Sequence, residues 1–247
     1  MGINTVLIFV VFAFLVLLRL INHHDRKLTM SRNKNEWVVD LFGLFIQGVI
    51  IPLLPIVIVP FLEHFFPSLN KSINMSPVYQ FLTSFVLVDY LYYWNHRFFH
   101  TKKFWHIHRL HHSSKQLDVF ATSRNSFLTS FVFVYLWSQI IGLYLLEDPT
   151  YFLAGFGLTF ALDLWRHGGV STPNIVRKIL SPIIILPEHH VFHHSLSGRT
   201  KNYGANLSCW DKIHRTFSNE IIPNQNLEKL PSTKIWSELL YPRRTGK

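Results

Sequence analysis

Cys209 is the only cysteine in the 247-residue chain. A lone thiol excludes a disulfide framework, a cysteine-based zinc site and an iron–sulfur cluster, and is expected to be a small packed side chain. Carboxylates are also scarce: 14 Asp and Glu stand against 24 Lys and Arg, a formal net charge of +10. No glycine-rich dinucleotide loop is present, because GFGLTF (155–160) lacks the final glycine and lies in an apolar run. Nucleic-acid motifs are missing too, so the basic charge reads as membrane-flanking charge attracted to anionic head groups. There is no internal repeat, low-complexity tract or clear interdomain linker.

Long apolar runs, in contrast, are plentiful. Apolar residues make up 49% of the chain, including 22 Phe. The stretch INTVLIFVVFAFLVLLRLIN (3–22) is long enough to cross a bilayer, which takes roughly 20 residues. With no basic residue before it and no small-residue cleavage site after it, an uncleaved anchor is expected. A second span is expected over about 37–61, kinked by Pro52, Pro55 and Pro60, and a third over about 78–95, running straight into His96. The fourth and fifth, about 127–146 and 150–166, are separated by the turn Glu147-Asp148-Pro149. With the N-terminus outside, every Lys and Arg except Lys71 falls on the cytoplasmic side, as the positive-inside rule demands. The expected fold is therefore all-α, with about five membrane helices and a cytoplasmic helical cap built from 96–126 and 167–217. ILSPIIILP (179–187) is too short to span and is expected in the interface.

The histidines are the chemical signal. Of 15, most lie between 96 and 194, at helix-neighbour spacing. His96 and His100 are i and i+4; His108, His111 and His112 are i, i+3 and i+4; His190, His193 and His194 repeat that pattern. A single histidine here would read as a hydrogen-bonded side chain at the head-group level. Eight together point to metal, because clustered imidazoles repel when protonated and lose hydration when buried, whereas neutral rings binding a divalent cation escape both penalties. Imidazole suits zinc, copper, iron and nickel alike. The number of rings implies two ions with room for an exogenous ligand, more than a four-ligand structural zinc needs. Paired redox metals beneath a membrane suggest oxygen chemistry on a lipid chain.

The segments DYLYYWNHRFFH (89–100), WHIHRLHHSSKQLDVFATSR (105–124), PEHHVFHH (187–194) and KNYGANLSCWDKIHRTF (201–217) together resemble the sterol desaturase and fatty acid hydroxylase superfamily. The resemblance covers about 78–217. It implies a membrane-bound, non-haem di-iron oxygenase with His96, His100, His108, His111, His112, His190, His193 and His194 as iron ligands. His167, in LWRHGG, occupies the place of a further family ligand and is added as a ninth. His106 would be an accessory group, His189 is ambiguous, and His23, His24, His64 and His214 fall outside the pattern. The chain departs from the family at Asn125-Ser126-Phe127, at Gly168-Gly169, and at Arg215, which stands in place of a usual glycine. None of these departures removes a ligand.

Two acids are candidate supports of the metal centre. Asp163 lies one turn before His167 and could fix that ring's tautomer, and Asp89 lies two turns before His96. Asn202, Tyr203, Asn206, Trp210 and Asp211 match the last family motif and are assigned support of the site. The expected activity is O2-dependent hydroxylation or desaturation of an unactivated C–H bond in a bilayer lipid: a sterol, fatty acyl chain, sphingoid base, alkylglycerol or carotenoid. Each turnover needs two electrons, and the chain carries no redox cofactor motif for them. An external carrier such as cytochrome b5 or a ferredoxin, with its reductase, is therefore expected to dock on the basic face. The expected organisation is N-terminal membrane helices and external loop over 1–77, a catalytic domain over 78–217 and a polar tail over 218–247, in a bacterial inner membrane or the endoplasmic reticulum. The rival readings are a non-catalytic membrane protein held together by zinc, and a transporter, which would scatter its histidines at membrane depth.

Overall fold

A computed structural model describes residues 3–225, 227 and 235–240. Among these the protein is all-α: two isolated bridges, Ile73 with Leu146 and Ile184 with Leu207, are the only β pairings. Helices α1 (Ile3–Ile21) and α2 (His23–Met30) meet at a bend of 102°. Asn22 makes the corner, its side-chain oxygen accepting from the Asp25 amide at 3.1 Å as an N-cap. Helix α3 (Lys34–Phe65) opens on a capping box, in which Asn33 and Glu36 satisfy each other's amides.

The helix runs through Pro52, Pro55 and Pro60 without a break. A proline removes an i to i−4 hydrogen bond and crowds the preceding turn. Here a π-helical stretch, Ile46–Ile50, widens the helix just before Pro52. At 32 residues, α3 is the one described helix long and apolar enough by itself to cross a membrane, and only 11% of its apolar stretch is buried in the protein. The bent pair of α1 and α2 qualifies as a second if counted as one span.

Helix α4 runs over 77–99, with Pro77–Leu82 and Val88–Phe99 joined by a π-helical Thr83–Leu87. A short turn, α5 (Trp105–His108), follows. The stretch expected as a single fourth span is broken into α6 (Phe127–Val132) and α7 (Val134–Leu145) by extended backbone at Phe133. Asn95 of α4 bridges the break like a peptide group. Its Nδ2 donates to the Val132 carbonyl at 3.2 Å and its Oδ1 accepts from the Val134 amide at 3.3 Å. Helix α8 (Thr150–His167) begins where Asp148 accepts from the Thr150 amide and hydroxyl, at 3.0 and 2.6 Å, and it crosses α4 closely. A Cβ on Gly155 would fall 2.0 Å from Ser84 Oγ and 3.2 Å from the Phe81 carbonyl oxygen, so a larger residue there would force Ser84 to turn or the helices apart.

The remaining helices are short: α9 (Asn174–Leu180), α10 (Pro187–His193), α11 (Cys209–Ile213) and α12 (Ile235–Leu240). A buried ionic network ties the N-terminal helices to the loop over 114–124. Asp118 takes Arg19 at 3.1 Å and Arg32 at 2.6 Å, and Asp40 takes Arg32 at 3.1 Å and Arg124 at 2.6 and 2.9 Å. These five side chains are at most 4% exposed, and Arg32 also lies over the faces of Trp37 and Phe120.

Candidate metal centre

Four segments converge on one buried place. The end of α4 brings His96 and His100. The α5 turn and the 3-10 turn His111–Ser113 bring His108, His111 and His112. The last residue of α8 is His167, and α10 with its C-cap brings His190, His193 and His194. They fall into two groups, His96, His100, His108, His112 and His193 in one and His111, His167, His190 and His194 in the other, with ligand atoms within 4.8 Å of one another in each. The groups touch: the His112 and His194 rings stack at 4.2 Å, and His108 and His111 at 5.1 Å. His106 and His189 belong to neither. His189 Nδ1 instead accepts from the Leu186 amide at 3.2 Å and caps α10, its ring against Phe217.

The tautomers can be read from the acceptors. His96 Nδ1 lies 2.8 Å from the Tyr203 carbonyl, His193 Nδ1 2.6 Å from the Lys201 carbonyl, and His167 Nδ1 2.9 Å from the Asp163 carbonyl. A carbonyl only accepts, so each Nδ1 carries the proton and each Nε2 presents a lone pair. His96 Nε2 nevertheless faces the Nε2 atoms of His193 and His108 at 3.1 Å and of His100 at 3.3 Å. In the other group His190 Nε2 sits 2.9 Å from His167 and 3.1 Å from His194, with His111 3.4 Å from His167. Between His96 and His193, both with the proton on Nδ1, the Nε2 lone pairs aimed at one another repel unless a cation lies between them. Nitrogens bound at about 2.1 Å to a shared ion are themselves roughly 3.0 to 3.4 Å apart in octahedral or tetrahedral arrangements. The spacing and the lone-pair directions both fit metal ligation, and His112 has neither ring nitrogen hydrogen-bonded among the described residues.

Burial makes the rings suitable. It is the largest influence holding His96, His100, His108, His111, His112, His190 and His194 well below the usual imidazole range, with neighbouring rings adding to it, and it takes His193 down to about 4. The rings are therefore neutral, the form that binds metal.

The acids sit differently from one another. The Asp163 carboxylate is 3.3 Å from His167 Nδ1, so the carbonyl of the same residue is the nearer acceptor, and the carboxylate also pairs with Arg166. Asp89 reaches no imidazole. It accepts from the amides of Asn206 and Leu207, at 2.8 and 3.0 Å, and from the Trp210 indole at 2.9 Å. Sequence reasoning missed Arg166, which is buried and donates to the Ala205 carbonyl, although an arginine beside an acid in an apolar run was a visible signal. It also missed the carbonyls of Lys201 and Tyr203, for which sequence carries no signal.

Residues 81–216 match the fatty acid hydroxylase family. The alkylglycerol monooxygenase of Danio rerio is 31% identical over 167 residues, 64% of this chain and 35% of that protein. The ornithine lipid hydroxylase of Rhizobium tropici is 31% identical over 166 residues, 66% of this chain and 47% of its own. Methylsterol monooxygenase 1-3 of Arabidopsis thaliana is 26% identical over 164 residues, 61% and 50% respectively. The match thus spans about a third to a half of these curated relatives. No solved structure matches the chain.

Proposed function

Because this chain belongs to the fatty acid hydroxylase family, we propose that it is an O2-dependent membrane oxygenase that hydroxylates or desaturates an unactivated C–H bond of a lipid. The observation that carries this reading is the pair of touching, buried, all-imidazole groups. Two iron ions held there would supply the activation of O2 and the removal of hydrogen from carbon. Zinc suits the same rings but has no redox chemistry, and the relatives named monooxygenases favour the redox metal.

The protein's own part is to hold, orient and exclude. His96, His100, His108, His112 and His193 would bind one ion, and His111, His167, His190 and His194 the other. Carbonyls of Tyr203, Lys201 and Asp163 keep three of the rings in the metal-binding tautomer. Aromatic side chains wall the first group on the side of α4 and α7: Tyr92 lies 5.3 Å from the His96 ring and stacks on Tyr135 at 4.7 Å, and Phe99 meets Phe133 at 5.5 Å. An apolar chain entering along that wall would meet the metals with little water.

On this reading about five helices lie in the membrane and the histidine-bearing segments form a cap on the cytoplasmic side. Substrate classes compatible with the family remain sterol, fatty acyl, sphingoid, alkylglycerol and carotenoid. Electrons come from an external acidic carrier of the cytochrome b5 or ferredoxin type, drawn by the net positive charge. The deciding experiment compares lipids from cells expressing the intact chain with those expressing His108→Ala. A lipid differing by one oxygen or by two hydrogens should appear only with the intact chain. Purified protein should hold close to two irons per chain; stoichiometric zinc with no oxygen consumption would establish the structural-zinc reading instead.

A further inference from the structure

The backbone of 201–211 faces two ways. Toward the metal centre it offers the carbonyls of Lys201 and Tyr203, two residues apart, which accept from His193 and His96. Its other polar groups are held from behind. The Tyr203 and Gly204 amides donate to the two carboxylate oxygens of Asp211, at 2.8 and 2.7 Å. Asn206, Leu207 and Trp210 donate to Asp89, and the Asn202 amide donates to the Thr216 carbonyl at 2.9 Å. The Thr216 hydroxyl completes Asp211 at 2.6 Å. Both carboxylates are fully buried, and among the described residues their hydrogen-bond partners include no histidine. A buried carboxylate fixed by two amides and a hydroxyl cannot shift without stranding charge, so the loop has one register. Gly204 allows the close approach: a Cβ there would fall 2.9 Å from Asp211 Oδ2.

We propose that Asp211, seconded by Asp89, is a positioning residue for the five-histidine group alone. It sets the register of 201–204, so that two backbone carbonyls hold His96 and His193 with the proton on Nδ1 and the lone pair of Nε2 toward the ion. The four-histidine group draws its anchor from a different element, the Asp163 carbonyl on α8. The consequence is asymmetric: loosening Asp211 weakens one metal position and spares the other. This rests on the reading of the two groups as metal sites.

The test is a Co(II) titration of metal-stripped, full-length protein in detergent, following the visible bands of the bound ion. Wild type is expected to take up two equivalents per chain, with His108→Ala and His190→Ala marking the bands of the five- and four-histidine positions. Asp211→Asn keeps an acceptor but turns an NH2 toward a backbone amide. It is expected to weaken the position marked by His108→Ala by about 10- to 100-fold and leave the other unchanged. Thr216→Val, which removes a single donor, should weaken the same position to a lesser degree, and it carries the test if Asp211→Asn does not fold. Weakening of both positions together, of neither, or of the one marked by His190→Ala overturns the proposal. Failure of the wild type to bind cobalt overturns the metal reading itself.

Discussion

Arg215 shows how a single residue can be at odds with its place. Its φ is +59°, in the left-handed region that costs an L-residue roughly 1 kcal/mol or more, and its side chain is exposed. Arg215→Gly should therefore raise stability by about 0.5–1 kcal/mol, read as a small increase in the melting temperature of the detergent-solubilised protein. Gly169, at φ +70°, is the contrasting case, where glycine already fits. At Asp163 the carbonyl can anchor His167 without the carboxylate, so Asp163→Asn should lower metal retention less than His167→Ala does, as metal analysis after dialysis would show. Equal losses would restore the carboxylate as the main anchor.

Polar side chains pin several of the elements to each other. Asn95 lets the break between α6 and α7 exist by satisfying both peptide groups that the break leaves open. Asn95→Ala should cost about 1–2 kcal/mol, and faster hydrogen exchange should appear at the Val134 amide. The Asp118 network ties α1, α2 and α3 to the loop after the His108 triplet. Burial opposes ionisation of Asp118, but the hydrogen bond and charge of Arg32 win, so its carboxyl titrates below the usual range. The unfolded chain consequently binds the proton more readily than the folded one, and stability rises with pH in that region. Asp118 makes its full contribution above about pH 4, and that contribution is lost as the pH falls through the lower folded value. Thermal melts from pH 6 to pH 3 should show this acid loss in wild type, and a flatter profile in an Asp118→Asn protein that starts less stable by about 3–5 kcal/mol.

The whole molecule is strongly basic, and its scale of prediction is association. If an acidic carrier delivers the electrons, the rate of reduction by that carrier should fall steeply with added salt, because steering between opposite net charges is screened over about 8–10 Å at 0.1–0.15 M. Reduction by dithionite, a small chemical reductant, should change far less. A carrier-driven rate independent of salt would count against docking on the basic face. At this scale the apolar runs are not equivalent. Length and composition qualify α3, with the α1–α2 pair as a second, while the other apolar runs are shortened by a break at Phe133 or carry charged side chains such as Asp89, Asp163 and Arg166.

The all-helical class was legible in the chain itself, because helix period and apolar run length are local properties that need no knowledge of contacts, and the family was legible through the resemblance of its histidine-bearing and Asn-Tyr-Gly segments. Spacing named eight of the histidines that the fold gathers, and the family resemblance added His167. Their division into five and four was not legible, since His111 and His112 are neighbours in sequence yet fall into different groups, and only the turn between them decides which way each ring points. Nor could sequence place the carbonyls that orient His96 and His193, or separate Asp89, which holds a loop, from Asp163, which lies against a ring. Those assignments depend on backbone atoms common to every residue and, for His96 with Tyr203 and Asp89 with Asn206, on segments more than 100 positions apart that packing alone brings within hydrogen-bond reach.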